Sequence, residues 1–209
     1  ILQYISEIQH LIKRTLKERL KMTEIKKYSA LNELAEKGGT VIFGGTTDVN
    51  IPLCELKQTF ELESKFYNRS FENISITKAS ELYKSCVAPL EPDTVLLHLG
   101  ENDLELFGKD PDKFISLYRE LISEIRSDNK KCRIAIVSLK NYDGDIITER
   151  LNEHLKYLAD SERCEFADIA EKKIWNPIAT RDAVSFAYLL GAKVQKPIYD
   201  LAKILFCYV

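Results

Sequence analysis

The stretch TVLLHLGEND, residues 94–103, decides how the rest of the chain is read. Thr94–Leu99 is a near-continuous apolar run, and it ends abruptly in Gly100, Glu101, Asn102 and Asp103. An apolar run without polar alternation belongs to a strand covered on both faces. RIAIVSL, residues 133–139, has the same character. Shorter runs at Thr40–Phe43, Lys65–Tyr67 and Cys164–Ile169 bring the predicted strands to five. Helical patterns fall between them at roughly 52–62, 77–86, 111–127 and 146–160, and a last one at about 188–206. Pro111 opens its helix, where a missing N–H costs nothing, whereas Pro197 falls inside the last one and should kink it. Strands alternating with helices imply a parallel sheet with helices on both faces. The ligand site of such a sheet lies beyond the carboxyl ends of its strands. Three of those ends are unusual: FGGTTD (43–48), YNRSFEN (67–73) and HLGEND (98–103).

Upstream of the first strand, residues 1 to about 37 read as helix. Ile1, Ile5, Ile8, Ile12, Leu16 and Leu20 recur every three or four residues, and Ile25, Tyr28, Leu31, Leu34 and Ala35 continue the period to Gly38-Gly39. The expected division is an N-terminal helical extension over 1–38 and an α/β domain over 39–209. The extension has three readings: a helix packed on its own domain, a helix pairing with a second copy of the chain, or a basic amphipathic helix on a membrane surface. Residues 1–27 carry seven Lys/Arg and three Glu, which suits a charged outer face. The apolar stripe lacks Trp and Phe, which weighs against the membrane.

Composition narrows the partners. With 30 Lys/Arg against 32 Asp/Glu, the 209 residues carry a net charge of −2, which excludes a generally basic nucleic-acid binder. Apolar residues at 45% are enough for a globular core. Nothing approaches the ~18 consecutive apolar residues of a membrane span. Cys54, Cys86, Cys132, Cys164 and Cys207 are scattered singly, with no C-x-x-C pair. Free thiols in a reducing, cytoplasmic setting are expected, with no metal site and no cofactor. The chain begins at Ile1 rather than Met, which leaves room for an upstream segment, a signal peptide included.

Neither G-x-x-x-x-G-K-[ST] nor G-x-G-x-x-G occurs, and Gly44-Gly45-Thr46-Thr47 alone would be only a tight turn. Taken in order, however, FGGTTD, NRSFEN and GEND resemble the blocks of the SGNH or GDSL hydrolase superfamily. Those blocks are a strand ending in G-D-S, a second ending in N-x-G, a third ending in G-x-N-D, and a late D-x-x-H. The likeness covers about residues 24–206, includes the Leu151-Asn152 pair before the last strand, and leans toward acetylhydrolase-like esterases. It implies a three-layer α/β/α, flavodoxin-like fold with five parallel strands in the order 2-1-3-4-5.

The resemblance also implies site residues, several of them altered. Gly44 matches, Gly45 falls where the family has Asp, and Thr46 takes the place of the nucleophilic Ser. Asn68 matches and Ser70 replaces the oxyanion-hole Gly, while Gly100, Asn102 and Asp103 are intact. In the last block Asp182 matches, Ser185 stands at the catalytic His, and Gly191 agrees with a glycine that often follows. Thr46, Ser70 and Asn102 are thus the expected oxyanion or ligand-binding donors, and Thr46, Asp182 and Ser185 a degenerate triad.

A hydroxyl is almost wholly protonated at neutral pH and needs a hydrogen-bonded base before it attacks an ester. Ser185 cannot be that base, and losing one in a Ser/His hydrolase costs on the order of 10⁶ in kcat. The remaining histidines are His10, His98 and His154. His98 lies four residues before Asn102; at ~3.3 Å per residue an extended strand would put it roughly 13 Å down the sheet, as a hydrogen-bonded core histidine. His154 belongs to a helix beside the sheet, and His10 could reach the site only from a partner chain. Two readings follow. One is a non-catalytic esterase-like protein binding a small acylated or anionic ligand, or a protein, with the N-terminal helix available for a homo-oligomer. The other is an active esterase, deacetylase or acyltransferase using Thr46 with an unorthodox base.

Overall fold

A computed structural model describes residues 22–59, 62, 64–141 and 144–169. The predicted helix at 188–206 with Pro197, the segment 1–21, and the site positions Asp182 and Ser185 lie outside the described residues. The elements run α1 (22–34), β1 (Thr40–Gly44), a 3-10 turn (Thr46–Asp48), α2 (Leu53–Thr59), β2 (Phe66–Asn68) and α3 (Ile76–Leu82). They continue with β3 (Thr94–His98), α4 (Leu104–Lys109), α5 (Pro111–Asp128), β4 (Arg133–Val137), α6 (Ile146–Ser161) and β5 (Glu165–Ala167).

All five strands pair in parallel in the order β2-β1-β3-β4-β5, as the sequence led us to expect. The pleat sorts their side chains into two layers. Val41, Phe43, Val95, Leu97, Ile134 and Ile136 join the core that α3, α5 and α6 cover. Ile42, Leu96, Ala135, Val137 and Ala167 face the other way, onto Ile51, Leu56 and Leu62. Both runs read as continuous because both faces are covered.

Three local differences from the sequence reading have physical causes. The helix expected at 77–86 is regular only to Leu82 and then widens into a π turn, Tyr83–Val87, followed by a 3-10 turn at Ala88–Leu90. Helix α4 is an addition, too short for periodicity to reveal. It stops where the Asp110 carboxylate accepts the Lys113 N–H and Pro111 starts α5. Strands β4 and β5 are shorter than predicted, and beyond them the Ile169 N–H donates to the Ser138 side-chain Oγ instead of a backbone carbonyl.

Helix α1 packs on its own α/β unit. Tyr28 is buried, its ring edge-on to Phe71 at 5.1 Å, and its hydroxyl donates to the Ser70 carbonyl at 2.6 Å. Asn32 Oδ1 accepts from Arg69 Nε and Nη2 at 2.9 and 2.7 Å, while Asn32 Nδ2 donates to the Cys86 carbonyl. The Arg69 guanidinium thus sits over the Tyr28 and Tyr67 rings, 5.0 and 5.6 Å from their centroids.

Candidate functional site

The carboxyl ends of β1, β2 and β3 meet at one edge of the sheet, with Gly44 in register opposite His98. The turn leaving β1 is built around Asp48. Its carboxylate accepts the Gly45 N–H at 2.9 Å and faces His98 Nδ1 at 2.8 and 2.9 Å. Both side chains are buried. The carboxylate lies so close to Gly44 that a Cβ there would meet Asp48 Oδ2 at 1.9 Å, which explains the glycine. His98 is therefore the hydrogen-bonded core histidine the sequence suggested. It stands at the very end of β3, directly beneath the β1 turn. The extended-strand distance to Asn102 does not apply, because the chain turns at Gly100, whose φ is +123°.

Ser70 lies behind this turn rather than on its surface. It is fully buried, its N–H donates to Asn68 Oδ1 at 2.9 Å, and its Oγ accepts the Gly44 N–H at 3.2 Å. Asn68 Nδ2 in turn donates to the Asp48 carbonyl at 2.7 Å. The expected oxyanion donor at Ser70 is thus engaged in joining β2 to the β1 turn.

Thr46 and Asn102 are brought to the same loop. Thr46 Oγ accepts the Asn73 N–H at 2.9 Å, and Asn102 Nδ2 donates to the Ile74 carbonyl at 3.2 Å. Asp103, buried, accepts from Ser75 Oγ at 2.6 Å and from the Ile76 N–H at 2.9 Å, so it fixes the start of α3. Segment 71–76 is stitched to β1 on one side and to the G-E-N-D turn on the other. Thr46 is half-buried and Asn102 exposed, so both can be reached from solvent, and the second N–H of the Asn102 amide remains to donate.

Three residues were not singled out from sequence. Asp48 holds His98; its signal was a carboxylate closing the FGGTTD block. Asn73 reaches Thr46 through its backbone, with φ of 51°, and nothing in its side chain marks it. Glu101 is the third. Its Oε2 accepts from Thr47 Oγ at 3.2 Å and lies 3.5 Å from the Thr47 nitrogen. A Cβ at Gly45 would meet that same oxygen at 2.8 Å. Where the family pattern has an Asp at position 45, this chain has a glycine, with a carboxylate arriving from position 101. Among the described residues, no group of three or more His, Cys, Asp or Glu side chains is placed to hold a metal ion.

Below the site, Asn152 on α6 clamps the exit of β4. It accepts the Leu139 N–H at 2.7 Å and donates to the Leu139 carbonyl at 2.8 Å. Among the described residues, no helix is long and apolar enough to cross a membrane.

No family model matches this sequence, and no curated protein matches it either. Solved structures do share its fold. A protein from Streptococcus pneumonia, provisionally described as a platelet activating factor, superimposes with a TM-score of 0.67 at 15% identity, over 88% of this chain and 98% of its own. The acetyl xylan esterase AlAXEase gives 0.57 at 15% identity over 74% and 100%. A GDSL-like lipase from Bacteroides thetaiotaomicron gives 0.56 at 16% identity over 73% and 84%. The fold is that of the SGNH/GDSL hydrolases.

Proposed function

We propose that this chain is a non-catalytic relative of the GDSL esterases that binds a small acylated ligand at Thr46 and Asn102. The histidine inventory carries this reading. Of the three imidazoles in the sequence, His98 is 4% exposed and faces Asp48. His154 sits on α6 with Nδ1 at the Arg150 carbonyl and its ring edge-on to Phe107. His10 lies outside the described residues, and position 185, where the resemblance puts the base, is Ser. A threonine hydroxyl with no imidazole beside it among the described residues acts as a hydrogen-bonding group rather than a nucleophile. Thr46 and the Asn102 amide still offer donors suited to an ester or amide oxygen. The half-buried Glu101 carboxylate beside them disfavours an anionic ligand.

Cys54, Cys86, Cys132 and Cys164 are free thiols, which supports a reducing, cytoplasmic setting. Burial pushes Cys86, Cys132 and Cys164 up to about 11, 12 and 11, which makes them poor nucleophiles.

The test is hydrolysis of p-nitrophenyl acetate. The protein should turn it over no faster than Thr46→Ala, and a fluorophosphonate should leave Thr46 unlabelled. Turnover that vanishes in Thr46→Ala would establish an active esterase using Thr46, and the binding reading would fall.

A further inference from the structure

We propose that Glu101 is the specificity-determining residue of this site: its carboxylate, seated on the β1 turn, selects acylated ligands that carry a protonated amine beside the acyl group. The inference rests on the acyl-binding reading above and adds the charge of the ligand. Glu101 Oε2 occupies the space a side chain at position 45 would need, and the Thr47 hydroxyl fixes it there at 3.2 Å. The seat depends on Gly45, so the two positions are sterically coupled.

Two other carboxylates near the turn, Asp48 and Asp103, are committed elsewhere. Asp48 is buried against His98 and the Gly45 N–H. Asp103 is buried against Ser75 and the α3 N-terminus. The nearby guanidinium of Arg69 is held away from the turn by Asn32 and the two tyrosine rings. Among the described residues Glu101 makes no ion pair. A half-buried carboxylate has lost part of its hydration, so a cation brought against it gains more than at an open surface. An anion at the same place meets repulsion. The Thr47 contacts hold one carboxylate oxygen, which leaves Oε1 for the ligand.

Three small methyl esters separate the alternatives: glycine methyl ester, methyl propionate and the anionic monomethyl malonate. Each is titrated into the protein at mildly acidic pH, where the amine is protonated and a carboxylate ionised, while the Thr46 and Asn102 amide resonances are followed. The cationic ester should bind at least about fivefold more tightly than the neutral one, the anionic ester more weakly than either, and the spread should shrink at high salt. Glu101→Gln keeps the volume and the Thr47 contact but removes the charge. It should abolish the preference, so that the three esters bind alike. The wild-type ranking tests the proposal even if that variant folds poorly. Equal binding of the three esters, or a preference that survives Glu101→Gln, overturns charge selection while leaving the acyl-binding reading intact. No response to any ester overturns both.

Discussion

At Gly44 a hydrogen atom stands where any side chain would collide with a carboxylate. The collision distance to Asp48 Oδ2 is 1.9 Å, far below any real contact, and Asp48 cannot yield without leaving His98 and the Gly45 N–H. Gly44→Ala should therefore cost about 3 kcal/mol, because moving Asp48 breaks its buried hydrogen bonds to His98 and the Gly45 N–H. Gly108 on α4 is the control, since nothing lies within 4 Å of the Cβ it would gain. Gly108→Ala should stabilise by about 0.5 kcal/mol through helix propensity alone. Urea unfolding of both variants reads the contrast, and similar values for the two would mean that Asp48 is not locked where we describe it. The glycine itself was legible in the sequence as part of a strand-end block. Its reason was not, because the contact joins Gly44 to a side chain folded back by a 3-10 turn, and that turn is invisible to composition.

Among the elements, α1 is joined to the sheet by groups that burial keeps neutral. Burial, with the nearby Glu24 carboxylate adding to it, pushes the Tyr28 phenol up to about 12, and burial pushes the Cys86 thiol up to about 11. Unfolded, these groups ionise near their ordinary values of about 10 and 8.5. A raised folded pKa means that the protonated form is favoured by folding, so the contribution is complete below the unfolded values. It is lost as pH climbs through the folded ones. Stability should be level to about pH 8.5 and decline from there toward pH 12. Tyr28→Phe should lower stability near neutrality, by removing the bond to the Ser70 carbonyl, yet flatten the alkaline decline. Thermal unfolding across that range checks both, and an unchanged slope in Tyr28→Phe would exclude the phenol as a source. The apolar period placed Tyr28 and Leu31 on this helix from sequence, and Tyr28 is indeed inward. Leu31 and Leu34 face outward, at 43% and 85% exposure, because Asn32 and its bonds to Arg69 set the helix's rotation. Periodicity weighs only hydrophobicity, so a polar residue that orients a helix escapes it.

Across the whole molecule, the parallel sheet was readable because buried parallel strands announce themselves as apolar runs, while the strand order came with the family resemblance. The chemistry at that edge was readable only in part. The blocks named Thr46 and Asn102, which do converge on segment 71–76, but not that the Ser70 N–H would turn inward to Asn68. Glu101 escaped because its meaning depends on a glycine 56 positions earlier in the chain. These details set what restoring a base would achieve. We expect Thr46→Ser combined with Ser185→His to yield esterase activity on short acyl esters from an inactive parent, if residues 182 and 185 stand where the resemblance puts them. The activity should be weak for two reasons. Ser70 contributes no donor, and one oxyanion donor is typically worth about 10²–10³ in rate. The Glu101 charge also opposes an oxyanion forming beside it, so adding Glu101→Gln should raise the rate on neutral esters. Hydrolysis of p-nitrophenyl acetate by the double and triple variants measures both effects. A folded triple variant no faster than the double would show that the carboxylate does not sense the reacting oxygen. No activity in either would place residue 185 out of reach of residue 46.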